Sequence, residues 1–462
     1  MNQIEAYHLM HKGTLALARA EQQGIRVDME YLENKTRHLT RKIDRMERLF
    51  KESKFFLKWQ ASQPDKEVNT NSGMQLGNFL YEELGLKPPK LTETGRGSTD
   101  KESLQALNIP ELNSLLQVRK LKKIKDTYLV GFMKEQVNGQ LHPFFNLHLV
   151  RTYRSSSDRP NFQNIPKRDK EAMQITRRAL FPRKGHQLLE VDYSGLEVRI
   201  AACYHKDPVM LKYINTGYDM HGDMAKQIFM LDDFDKHRQD HGLLRSAAKN
   251  GFVFPEFYGD YFRNCAEYMA CNWAGLPNGR WKPGQGVDLG NGKISDHLIA
   301  NGLKSLDNFV EHIKAIEDDF WNRRFRKYAQ WKEKWWRQYQ KDGYVDLLTG
   351  FRCSGVMTRN DAINYPIQGA AFHCLLWSFI RLDNILQLHP GMWKSRIIGQ
   401  IHDAIVFDVY PPELPNLLKT IKEITTMDLP RAWDWIIVPL DVDFEICAVD
   451  ASWADKKELE EY

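Results

Sequence analysis

Two apolar segments that each deliver an aspartate, LLEVD and RIIGQIHDAIVFDV, stand on either side of a long helical text. That order constrains the fold more than any other feature of the chain. The first segment ends at Asp192 and reads as a buried strand running directly into a helix, GLEVRIAACY. The second reads as two strands bracketing His402-Asp403, a hairpin whose tip presents Asp403, and IIVPLDVDFEI supplies a further strand. Residues 205–345 between them are dense in helical spacing, aromatic residues and basic residues. Strands flanking a helical insertion predict an α+β core with an inserted helical subdomain. A length of 462 residues favours two to four domains or subdomains, and an apolar share of 42% is enough to build their cores.

Residues 1 to 60 alternate apolar and charged positions at helical spacing, and QQGIRVD reads as a helix end, a glycine stop and a short extended piece. From 61 to 100 the text is polar and rich in turn residues (NTNSG, LKPPKL, TETGRGSTD). QVRKLKKIKDTYLVGF reads as a helix with one basic face, either solvated or in contact with phosphate. FWNRRFRKYAQWKEKWWRQYQ interleaves aromatics with cations, which suits a nucleic-acid surface and a packed amphipathic helix equally. The net charge of +5 permits nucleic-acid binding without demanding it. Six cysteines, at 203, 265, 271, 353, 374 and 447, match no C-x-x-C metal site, and reduced thiols are expected. No signal peptide and no apolar run long enough to cross a membrane is apparent, so the expected setting is soluble and intracellular.

Three segments carry chemistry. In LLEVDYSGLEVRI a strand holds Asp192 rigidly and leaves it open to a hard divalent cation. The competing reading is an S-x-x-E capping box over Ser194–Glu197, with Asp192 as a turn residue. An aspartate at a hairpin tip, Asp403, is ordinary by itself. Together, two strand-borne acids from distant segments are what two-metal phosphoryl transfer requires. In LLRSAAKNGFVFPEFYGDY, Arg245 and Lys249 share one helix face and can clamp a polyphosphate. The alternative is a solvated basic face, weakened by the lack of acids at i±4.

These three segments, in this order, resemble motifs A, B and C of the family A DNA polymerases, the bacterial polymerase I type, in a phage-like form. RTYRSSSDRPNFQNIPKR, DMHGDMAKQIF, INYPIQGAAFHC, EQQGIRVD and VPLDVDFEICAVDASW resemble further family segments, so the likeness covers nearly the whole chain. It implies a right hand: an N-terminal helical segment over 1–60 leading into the thumb, thumb 61–140, palm 141–204, fingers 205–345 and palm again 346–462. Asp192 and Asp403 would be catalytic and, with the Tyr193 carbonyl, would hold two Mg²⁺ ions, which Mn²⁺ could replace. His221, Arg245 and Lys249 would bind the triphosphate, Glu197 would sit under the incoming sugar, and Tyr258 would stack near the templating base. Arg154, Asn161, Gln163, Gln368 and His402 would touch the primer–template duplex in its minor groove, where acceptors are nearly alike for every pair.

The sequence departs from the family pattern at Ala404, Gly195 and Tyr153, and its motif B carries one extra residue between Lys249 and Tyr258-Gly259. A one-residue bulge reconciles the count, helped by Pro255, and favours Phe254 over Phe252 as the aromatic beside the incoming base. The implied activity is a template-directed DNA polymerase acting on primer–template DNA and dNTPs. It would work as a monomer with possible replication accessory proteins, in a bacterial cytoplasm that could be phage-infected. Neither a proofreading nor a 5′ nuclease domain is expected in this chain. The alternatives are a single-subunit RNA polymerase, which Glu197 argues against, and an inactive DNA-binding accessory subunit, which the retention of Asp192 and Asp403 argues against.

Overall fold

The computed structural model describes all residues except 1, 93, 168, 275–280, 389–390 and 460–462. The chain forms two compact units, one of residues 1–38, 124–217 and 327–462, the other of residues 39–123 and 218–326.

The first unit is built on a five-stranded antiparallel sheet in the order Lys457–Glu458, Val442–Ile446, Gln187–Tyr193, Ala404–Val409, Arg396–Ile401. Gln187–Tyr193 is central because QLLEVDY is buried at nearly every position, as a strand covered on both faces must be. Beneath the sheet runs a 30-residue helix, Arg359–Leu388, carrying Pro366 inside it. The N-terminal helix Gln3–Gln23 packs on this long helix, starting from an Asn2/Glu5 capping box. Gly13 permits that approach, since a Cβ there would lie 2.8 Å from Leu376. Arg19 Nε, 2.7 Å from Asp383 Oδ2, pins the same pair. As QQGIRVD predicts, the first helix stops at Gly24, whose φ of +65° glycine adopts readily, and Ile25–Val27 continues as a short strand.

In the second unit, residues 39–123 enclose a core in which Trp59 stacks on Phe79 with centroids 5.8 Å apart, surrounded by Phe50, Phe55, Leu104 and Leu112. The basic helix, Pro110–Lys123, does not present a bare cationic face. Arg119 Nε donates to the Thr70 carbonyl at 2.9 Å, and Lys122 pairs with Glu47 at 2.5 Å. The described residues of 218–326 are mainly helical and centre on Phe320, ringed by Phe252, Phe257 and Phe325.

Packing claims the aromatic tract in both units. In the first, Trp331 and Trp335 lie against Tyr204, and Trp335 Nε1 donates to the Ala362 carbonyl at 3.0 Å. In the second, Trp321 Nε1 donates to Glu256 at 2.8 Å. All six cysteines are free thiols, and only Cys271 is exposed. Among the described residues no helix is long and apolar enough to cross a membrane.

Candidate active site

The ladder brings the two aspartates together. Asp192 is the penultimate residue of the central strand, and its cross-strand neighbours are Ala404 on one side and Asp443 on the other. Asp403 occupies the turn just before Ala404, and its backbone carbonyl accepts the Tyr193 N–H at 3.1 Å. Register therefore fixes both acids on rigid backbone, which the spacing in sequence cannot show. His402 makes the turn with a φ of +51° and stays exposed. Tyr193 turns its own ring into the core, where its hydroxyl meets Ser378 Oγ at 2.8 Å.

The electrostatics of the pair are uneven. Burial pushes the Asp403 carboxyl up to about 6; Arg154 opposes this, while Glu197 and Asp192 reinforce it. Asp403 Oδ1 is buried with no hydrogen-bond donor, although Arg154 Nη2 lies within ion-pair range at 3.7 Å. Arg154 also holds Glu197 Oε1 at 3.1 Å. The capping box does not form: the N-cap of the helix Leu196–His205 is Gly195, in the left-handed conformation, with no side-chain cap. Ser194 instead gives its backbone N–H to the Asp441 carbonyl at 2.9 Å, extending the ladder between the central strand and Val442–Ile446 by one bond.

Sequence reasoning missed a cluster on the strand itself. Lys167 Nζ lies 2.8 Å from Asp192 Oδ2 and 3.2 Å from Glu190 Oε1. Glu190 is buried and also receives Arg177 Nη1 at 3.0 Å, Lys456 Nζ at 2.7 Å and Trp453 Nε1 at 3.2 Å. Burial alone would raise the Glu190 carboxyl, but Lys456, Arg177 and Lys167 together hold it near 2. An acid inside the apolar run LLEVD was the one available signal, because a strand buried on both faces tolerates a charge only when it is paired.

Of the residues expected to touch DNA, Gln163 donates to Ser155 Oγ at 2.7 Å and to Gln400 Oε1 at 2.9 Å. Gln400 in turn donates to the His402 carbonyl, so it links two expected positions and was itself missed. Asn161 caps the 3₁₀ turn Phe162–Asn164 through the Asn164 N–H at 3.1 Å. Gln368 lies half-buried on the long helix.

In the second unit the expected triphosphate residues also converge. The helix Gln239–Ala248 carries Arg245 and passes at Lys249 into a π-helical turn, Lys249–Val253, followed by the helix Phe254–Tyr258. A π turn thus stands where the sequence count calls for a bulge. The widened turn buries Phe252 completely against Phe320 and leaves Phe254 half-exposed. Lys249 Nζ lies 5.2 Å from the Phe254 ring centroid, and His221 meets the same ring edge-on at 5.6 Å. Burial and the nearby cations Arg245 and Lys249 push His221 down to about 4. Tyr258 is exposed. No acid stands at i±4, as expected, but Arg245 finds an acidic partner elsewhere: its Nε donates to the Asp219 carboxylate at 2.7 Å, at the start of another helix.

The family profile for DNA polymerase family A matches residues 29–272 and 304–455. The chain belongs to that family. Its relatives include DNA polymerase I of Synechocystis sp., 27% identical over 433 residues covering 90% of this chain and 40% of that protein. The thermostable DNA polymerase I of Thermus filiformis is 28% identical over 460 residues, 96% of this chain and 47% of that one. The chain thus spans less than half the length of these relatives. A solved structure, the POL domain of Pol1 from M. smegmatis in complex with DNA primer-template and dNTP, is 25% identical. It superposes with a TM-score of 0.72 over 96% of this chain and 70% of that one. The fold is accordingly the palm, fingers and thumb of a family A polymerase domain.

Polymerases of this family depend on divalent metal ions. Among the described residues no group of three His, Cys, Asp or Glu is arranged to hold a metal unaided. Two carboxylates, one with an oxygen lacking any donor, nonetheless fit a hard cation that completes its shell with phosphate and water oxygens.

Proposed function

We propose that this chain is a DNA-directed DNA polymerase that joins a dNTP to a primer 3′-hydroxyl and releases pyrophosphate. The carrying observation is the placement of Asp192 and Asp403 on adjoining backbone of one sheet, with Asp403 Oδ1 unbonded. These carboxylates, with the Tyr193 carbonyl, would hold two Mg²⁺ ions, or Mn²⁺ in their place. Bound there, the metals supply an activated hydroxyl nucleophile and charge stabilisation for the leaving oxygens.

The protein's own groups do the rest. Arg245, Lys249 and His221 bind the triphosphate, and the ring of Phe254 faces the incoming base. Tyr258 stacks near the templating base. Glu197, fixed by Arg154, lies under the sugar and excludes a 2′-hydroxyl. Arg154, Asn161, Gln163, Gln368 and His402 follow the duplex. The partners are primer–template DNA and dNTPs, the working form is a monomer, and the setting is the cytoplasm.

Primer extension with Mg²⁺ present or withheld, and with dNTPs against NTPs, tests this reading. Extension should require the metal, follow the template and strongly prefer dNTPs, with Glu197→Ala relaxing that preference. Metal-independent extension, or preferential use of NTPs by the parent protein, would overturn it.

A further inference from the structure

Asp192 already has a cation. Lys167 lies in the loop between the 3₁₀ turn Phe162–Asn164 and the helix Lys170–Arg177, and its ammonium bridges Asp192 Oδ2 at 2.8 Å and Glu190 Oε1 at 3.2 Å. Glu190 and Asp192 are two residues apart on one strand, so their carboxylates leave the sheet on the same face.

The two acids differ in freedom. Glu190 is locked, with its other oxygen taken by Arg177, Lys456 and Trp453, and Arg177 is itself fully buried with its guanidinium 4.3 Å from the Trp453 ring centroid. The Asp192 side chain keeps a third of its surface exposed, and Lys167 keeps 45%. The ammonium thus bridges one acid fixed in the core and one that stays open to solvent. Lysine suits such a role, being a compact charge on a flexible stem. Ala404, opposite Asp192 on the next strand, adds no charge of its own.

We propose that Lys167 is a resident counter-cation of Asp192, and that Glu190 retains its ammonium when a divalent ion displaces it. Metal loading at this carboxylate is then an exchange of one cation for another, not capture by a bare acid. Lys167 is a positioning residue, acting through Asp192. The inference rests on the reading of Asp192 as a metal ligand, and its test separates the two.

The test is equilibrium binding of Mn²⁺ to the full chain without DNA or nucleotide, followed by the paramagnetic resonance signal of free Mn²⁺. Lys167→Met keeps the length of the stem and removes the charge. It should bind Mn²⁺ about tenfold more tightly, the scale on which one competing charge contact changes an affinity. Lys167→Arg should stay within about twofold of the parent, because the charge is retained. Asp192→Asn should abolish the site. If Asp192→Asn abolishes Mn²⁺ binding while Lys167→Met binds as the parent does or more weakly, the exchange is refuted and the metal site stands. If Asp192→Asn leaves Mn²⁺ binding unchanged, both readings fall. Lys167→Gln, a second neutral variant, guards against a folding defect peculiar to Met. Absence of millimolar Mn²⁺ binding in the parent and in both neutral variants also overturns the proposal, whereas binding only in the neutral variants supports it.

Discussion

In the first unit the acids that matter stand on one strand and on the turn beside it, and every one of them meets a cation from another segment: Lys167 and Arg177 on Glu190, Lys167 on Asp192, Arg154 on Asp403. In the second unit the cations that matter stand on a helix, and that helix loses its regular hydrogen-bond ladder at the π turn Lys249–Val253. The sheet fixes position through register, so a charge there can be buried and compensated in advance. The helix sets only a face, and the bulge then chooses which aromatic stays at the surface. On the proposed roles, a metal site needs fixed oxygens while a triphosphate site has to receive and release its ligand, and the two frameworks suit those demands.

The largest effect should separate the two arginines. Arg177→Ala leaves Glu190 without one of its buried partners and should cost about 3–5 kcal/mol in urea denaturation. Arg245→Ala removes a more exposed pair with Asp219 and should cost at most about 1 kcal/mol while raising the KM for dNTP. Equal stability losses would erase the contrast between a compensated sheet and an accessible helix.

The π turn can be tested through its two phenylalanines. Phe252 is fully buried, and Phe252→Ala should lower stability by about 3–5 kcal/mol. Phe254→Ala should leave the melting temperature nearly unchanged and weaken nucleotide use, because that ring is half-exposed beside Lys249 and His221. If the stability loss falls on Phe254 instead, the bulge is placed wrongly.

A smaller effect concerns pH. His373 is fully buried between Thr349 Oγ1 at 2.6 Å and the Tyr153 carbonyl at 3.2 Å, and burial lowers it to about 3. Its folded value lies below the ordinary one of about 6.5, so the unfolded chain takes up the proton first as pH falls. The stability it contributes is complete above about pH 6.5 and is lost progressively toward pH 3. By pH 5 the loss should reach about 2 kcal/mol, and His373→Gln should flatten the slope of the urea midpoint between pH 7 and 5. An unchanged slope would mean that this histidine is charged in the native state.

Much of this was legible in the sequence. The strand LLEVD, the hairpin at His402-Asp403, the glycine stop after QQ and the bulge in motif B all rest on local pattern, and local pattern is what a sequence displays. The Glu190 cluster was not legible, because Lys167, Arg177, Glu190 and Lys456 come from separate segments with no shared spacing. The Asp219 partner of Arg245 escaped for a related reason: counting i±4 surveys one helix and says nothing of its neighbours. The capping box failed because Gly195, with a φ of +59°, starts the helix one residue later than the S-x-x-E pattern places it. The aromatic tract offered two readings of equal weight, and the contacts of Trp321, Trp331 and Trp335 show the packing one.

On the proposed function, Asp192 and Asp403 serve the chemical step and not the grip on DNA. Single-turnover primer extension and equilibrium primer–template binding, measured side by side for Asp192→Asn and Asp403→Asn, test it most directly. Each variant should lose at least about 10³-fold in rate, corresponding to about 4 kcal/mol of transition-state stabilisation. The Kd for DNA should stay within about twofold, since duplex affinity is spread over many phosphate contacts. A Kd that rises in step with the lost rate, or a variant that keeps a tenth of the parental rate, would contradict these roles of Asp192 and Asp403.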